Sequence, residues 1–175
     1  MSILKRFVSY YKPYRHLFYL DCLCATVLCI IDLSFPQILR WLPEGLFSGN
    51  AASIFSALRW LFPALLIWYL LRALCQFYVT SYGHVMGTRM ETDMRQDLFD
   101  KYMSLSYSYY DQNNTGEMMS RLVSDLFDIS ELAHHGPENL LMCSIKIIGS
   151  FILLLWVNVP MTMLLLAVTA ILVIF

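Results

Sequence analysis

The chain has 175 residues, of which 58% are hydrophobic and 14% charged, with a formal net charge of −1. Soluble domains carry more charge and fewer apolar residues, so the composition points to an integral membrane protein, and nothing in it is basic enough for a nucleic-acid partner. The five cysteines, Cys22, Cys24, Cys29, Cys75 and Cys143, all lie in apolar segments and read as small buried hydrophobes rather than a disulfide framework.

Residues 1–16 carry Lys5, Arg6, Lys12 and Arg15, no acid, and the aromatics Phe7, Tyr10, Tyr11 and Tyr14. The apolar run that follows is too long for a signal h-region and has no small-residue cleavage site after it. A basic aromatic segment of this kind suits a helix lying at the membrane interface with its tyrosines at headgroup level, and its charges place the N-terminus inside. The first span is predicted over residues 17–41, more than the ~20 needed to cross a bilayer. Asp21 falls near its inner end and reads as interfacial. Asp32 lies well inside, where a carboxylate is costly unless it faces a cavity or pairs with a neighbouring helix. Pro36 is expected to kink the outer end. Residues 42–59 hold Pro43, Gly45, Gly49 and Asn50 and are expected to form a short external loop.

The second span is predicted over residues 60–82, with Arg72 near mid-membrane and Gln76 one turn on. By a rise of ~1.5 Å per residue, Arg72 and Asp32 sit at compatible depths, either as a pair or lining an aqueous cavity. Asp32, Arg72 and Gln76 are therefore the candidate substrate-cavity residues. No strong breaker occurs from residue 84 to 105, where Met86, Met90, Met94, Leu98, Tyr102 and Leu105 form a stripe at helical spacing. The stripe reads as packing rather than a cofactor box. The helix is thus expected to leave the bilayer by about 35 Å, with Glu91–Arg95 and Asp97–Lys101 as exposed i,i+4 pairs.

Residues 109–132 read as a polar helix–turn–helix. Asp111, Gln112, Asn113 and Asn114 favour a break because their side chains compete for nearby backbone groups. Asn114 with Glu117 resembles a capping box opening a new helix. On that helix Met118, Leu122, Leu126, Ile129 and Ala133 share one face. Residues 83–138 hold ten acids against four Arg and Lys, too long a loop for orientation rules to count. His134 and His135 project about 100° apart on a helix, so they cannot share a metal in the usual i,i+4 manner, and they read as local polar contacts. Gly136 and Pro137 mark a kink near the bilayer. A third span is predicted over residues 140–157, with Lys146 snorkelling to the interface and Gly149 and Ser150 as close-packing positions. Asn158, Val159 and Pro160 form a tight outer turn. Residues 161–175 are uncharged and short of a full span, so the chain is expected to be the front part of a longer polypeptide. No metal site is expected.

The run YYDQNNTGEMMSRLVSDLFDI at residues 109–129 resembles the first intracellular loop of ATP-binding-cassette (ABC) exporters, where an aromatic pair and Asp precede TGE, then SR, then Asp. The resemblance extends from the basic aromatic N-terminus through the ELAHHGPENL run, and is to bacterial multidrug and lipid half-transporters of the MsbA type. It implies an all-α membrane domain of long helices extending into the cytoplasm as antiparallel hairpins behind an N-terminal elbow helix, multi-pass in the bacterial inner membrane. It further implies a coupling helix at residues 114–121 that contacts a nucleotide-binding domain through Asn114, Thr115, Gly116, Glu117, Ser120 and Arg121. The implied partners are that domain, a second half-transporter, identical or not, and the lipid bilayer. The chain contains no G-x-x-x-x-G-K-[ST] phosphate loop. No catalytic residue or cofactor is therefore assigned within it, and ATP and Mg would be held by the nucleotide-binding domain of an ATP-hydrolysing translocase. The alternative is a small membrane scaffold or regulatory protein with no ATPase of its own.

Overall fold

The computed structural model describes the backbone of residues 3–47 and 51–174, and the surroundings of the side chains of residues 5–40 and 59–172. Helix α1 (Ile3–Ser9) leads through hydrogen-bonded turns into α2 (Arg15–Phe47), and α3 (Ala51–Met103) follows. Two short helices, α4 (Tyr107–Gln112) and α5 (Thr115–Ser120), precede a π-helical turn at Arg121–Asp125, after which come α6 (Leu126–Val157) and α7 (Val159–Ile174). Among the described residues there is no strand, so the all-α expectation holds.

Three helical stretches are long and apolar enough to cross a membrane: Arg15–Arg40, Arg59–Met103 and Thr115–Val157. The apolar stretch Val159–Leu172 is shorter. Leu66, Ile67, Leu70, Leu74, Ile148 and Leu164 stand exposed on them. An apolar surface left uncovered over whole helices belongs against lipid or neighbouring helices rather than water.

Several local expectations change. Pro43 and Gly45 fall inside α2 rather than in a loop, whereas residues 48–50 lie outside those described. Helix α3 stops at Met103, short of Leu105, where the Ser104 N–H turns back to the Asp100 and Lys101 carbonyls. Asp111 and Gln112 do not break the chain but end α4, and the break is confined to Asn113 and Asn114 in extended conformation. The turn at residues 158–160 reduces to Asn158, whose side-chain oxygen accepts the Met161 N–H while its carbonyl accepts from Thr162.

By contacts the chain divides into two compact units, Met1–Ala25 with Ala73–Leu140, and Thr26–Arg72 with Leu141–Phe175. In the first, Met86, Met90 and Met94 bury one stripe of α3 against Leu126 and Ala133 of α6. The spacing of four puts these side chains on one face, and the unbranched thioethers fill irregular gaps. Phe7, Tyr10, Tyr11, Tyr14 and Phe18 close over this core. The Tyr10 hydroxyl donates to Asp97 at 2.6 Å, Tyr14 to Asp93 at 2.9 Å, and Tyr11 to the Ala133 carbonyl at 2.6 Å. These tyrosines, expected at headgroup level, thus clamp the N-terminal segment onto α3 and α6. The second unit buries Leu28, Cys29 and Ile31. There Gly149 lets α6 approach Leu33, whose Cδ1 lies 2.5 Å from where a Cβ would stand.

Candidate functional site

Within the second unit, three helices bring charges together at Asp32. Arg72 Nε of α3 donates to Asp32 Oδ1 at 2.9 Å, and Lys146 Nζ of α6 lies 2.9 Å from Oδ2. Each carboxylate oxygen therefore serves one cation, and the trio keeps one net positive charge. Pairing is the usual way an apolar segment tolerates ionised groups. Asp32 and Arg72 are thus paired, with side chains 29% and 38% exposed. Lys146 does not snorkel away, because the second oxygen of Asp32 is the nearer partner. Gln76, the third candidate, lies in the other unit, where its amide donates to Thr80 Oγ1 at 3.3 Å.

The polar arm carries the six predicted contact residues at its tip. Asn114 caps α5 by accepting the Gly116 N–H at 2.9 Å. Glu117 does not close a capping box but pairs with Arg121 one turn on. Asn114, Thr115, Gly116, Glu117, Ser120 and Arg121 are all exposed, while Met118 of the same helix is buried and anchors it. The π turn that follows changes the inward face: Leu126, Ser130, Ala133 and His134 are buried, and Ile129 is exposed. Ser130 reaches the inside because its hydroxyl bonds the Phe127 carbonyl and Glu91 of α3.

A third constellation was not legible from spacing. His84 of α3 comes to His134 and His135 of α6, with ring centroids 5.0 and 5.2 Å apart, and the two neighbours are themselves 4.5 Å apart. The close approach depends on Gly83, since a Cβ there would lie 1.8 Å from Cε1 of His134. Burial first, then the His135 and His84 imidazoles, push the His134 pKa down to about 4, so the ring is neutral near pH 7. Burial likewise raises Glu138. Gln76, Thr80, His84, His135 and Asn139 line the open groove beside these rings. Adjacency in sequence excluded the i,i+4 pattern for His134 and His135, but His84, fifty residues earlier, supplies the third ring.

Long apolar helices, paired charges on three of them and a polar arm tipped by a short capped helix define a multi-pass α-helical membrane domain. Residues 18–175 match the family model of the ABC transporter transmembrane region, and the chain belongs to that family. It is 41% identical over 156 residues to YwjA, an uncharacterised ABC transporter ATP-binding protein of Bacillus subtilis, covering 89% of this chain and 27% of that protein. It is 25% identical over 162 residues to the ATP-dependent lipid A-core flippase of Thiobacillus denitrificans, covering 93% and 28%. The flippase of the same description from Shewanella oneidensis is 28% identical over 163 residues, covering 85% and 27%. The chain thus spans little more than a quarter of the length of these curated relatives.

Proposed function

We propose that the chain is the front part of the membrane domain of an ATP-driven exporter that moves drugs, lipids or other amphipathic solutes by alternating access. The N-terminus lies on the cytoplasmic side with Lys5, Arg6, Lys12 and Arg15, and the polar arm projects into the cytoplasm. Helix α5 with its flanks is the coupling helix, and Asn114, Thr115, Gly116, Glu117, Ser120 and Arg121 contact a nucleotide-binding domain that holds ATP and Mg. Two such halves, alike or different, make the working unit. Asp32 and Arg72, together with Gln76, belong to the path of the solute. One observation carries the reading: a capped six-residue helix with Met118 buried and its polar residues exposed lies in the connection between two helices of more than 30 residues.

The test uses the full-length protein with its native cysteines replaced. Cysteines introduced at Glu117 and at Arg121 should crosslink to a cysteine on the nucleotide-binding domain and change in yield when ATP is bound. The charge reversals Glu117→Arg and Arg121→Glu should depress ATP-driven transport at least tenfold without shifting the melting temperature, since an exposed i,i+4 pair contributes little to stability. Absence of crosslinks at both positions together with unaltered transport refutes the assignment.

A further inference from the structure

The geometry points to a binding site for a divalent transition-metal ion of the Zn²⁺ or Ni²⁺ type, formed by His84, His134 and His135 with Glu138 as the adjoining carboxylate. One ligating atom from each of the three histidines lies within 4.8 Å of the other two, and so do those of Asp21, His134 and Glu138. His134 belongs to both groups and is the hub. Its side chain is 2% exposed, and neither ring nitrogen has a hydrogen-bond partner. A buried polar atom without a partner is costly, and an ordered water or an ion is a usual partner for one. Glu138 Oε2 is a second orphan in the same place, 3.8 Å from His134 Nε2 and 4.0 Å from His135 Nδ1. Two imidazole nitrogens therefore converge on one carboxylate oxygen at distances too long for hydrogen bonds and wide enough to admit an ion after a small contraction.

A carboxylate stands behind the ring of His135. The ring Nε2 lies 3.4 Å from Glu131 Oε2, which places Glu131 to take up the Nε2 proton when Nδ1, on the Glu138 side, ligates a metal. A carboxylate behind the far nitrogen of a ligating histidine is the usual outer support of a metal site. His134, with no hydrogen-bond partner at either ring nitrogen, also has a nitrogen free to ligate. Tetrahedral ligands at about 2.0–2.1 Å from zinc stand roughly 3.3 Å from one another. The exposed His84 and the half-exposed His135 can close that gap by side-chain rotation while His134 stays fixed over Gly83. The groove of about 500 Å³ beside the rings gives an ion and its water ligands an entry path. Imidazole with one carboxylate favours zinc, nickel or copper over magnesium or calcium, which prefer all-oxygen sites. Asp21 Oδ1, buried and unpartnered, places a further negative charge near the site. The bound ion would tie α3 to α6 at the root of the polar arm. The inference concerns this side-chain cluster and does not depend on the transport reading.

The test is calorimetric titration of Zn²⁺ into the full-length protein, purified without a polyhistidine tag, free of nucleotide and stripped with chelator, with Co²⁺ absorption as the coordination readout. The native cysteines are replaced so that no thiolate competes. One saturable Zn²⁺ site per chain, a visible tetrahedral Co²⁺ band and a Zn²⁺-dependent rise in melting temperature are expected. His84→Gln and His135→Gln alter exposed rings and leave the fold intact, and each should weaken Zn²⁺ affinity at least tenfold and abolish the melting shift. Glu131→Gln should weaken it by roughly tenfold or more through the outer support. Absence of saturable binding, or binding unchanged in both His84→Gln and His135→Gln, overturns the proposal.

Discussion

Replacing Asp32 by Asn tests the reading of the intramembrane charges. The substitution preserves shape but leaves Arg72 and Lys146 facing each other without an anion, and turns one NH₂ toward a cation that now lies 2.9 Å from a carboxylate oxygen. At about 4 Å between charge centres and an effective dielectric of ~20, each contact is worth roughly 4 kcal/mol before desolvation. Breaking a fully buried pair costs about 3–5 kcal/mol. Here the Arg72 and Lys146 side chains are 38% and 40% exposed, so screening brings each contact toward ~1 kcal/mol, and about 2 kcal/mol is expected for the two. Thermal unfolding of the purified full-length protein in detergent, followed by tryptophan fluorescence, should show Asp32→Asn melting about 1–3 °C lower, the shift being small because a longer chain has a larger unfolding entropy. Removing one cation as well, in Asp32→Asn with Lys146→Gln, should recover about half of that loss, because one cation remains for the one amide oxygen. A double variant no more stable than Asp32→Asn, or a single variant melting with the wild type, would refute the argument that one carboxylate holds both cations.

Two further outcomes follow from packing. Met90 is wholly buried, so Met90→Ala should cost about 2–5 kcal/mol through the cavity it leaves, whereas Met103→Ala, 70% exposed at the end of α3, should stay within about 0.5 kcal/mol; equal melting shifts for the two would contradict the assigned core. Gly83→Ala should destabilise by about 1–3 kcal/mol through overpacking against the His134 ring, and combining it with His134→Ala should restore part of the loss. A Gly83→Ala protein that melts with the wild type would show that the ring does not occupy that space.

What the sequence revealed and what it withheld divide along physical lines. The methionine stripe was legible because spacing of four residues forces Met86, Met90 and Met94 onto one face whatever lies opposite. The Asn114 cap was legible because a cap is a local hydrogen bond. Asp32 and Arg72 stood out because an ionised group inside an apolar run needs a partner, and the rise per residue matched their depths. Lys146 was misread because snorkelling is a local option that ignores what a third helix offers. Ile129 was misplaced for a similar reason, since the π turn alters the helical phase and no residue between Arg121 and Asp125 announces it. The histidine cluster needed His84 and His134, fifty residues apart and joined only by the packing of α3 on α6. Its one sequence signal was Gly83 beside His84, a missing side chain that makes room for a ring from elsewhere.

The π turn at Arg121–Asp125 sets the phase between the end of the arm and the helix behind it. A π turn holds one residue more than the α-helical turn it replaces, so it stores a residue of slack between α5 and the long α6 behind it. Without that residue α5 would stand rotated by about 100° against α6, and Met118 would leave the side on which Leu126, Ser130 and Ala133 are buried. The turn thus works as a shim, one residue thick, that brings the buried side of α5 into line with that of α6.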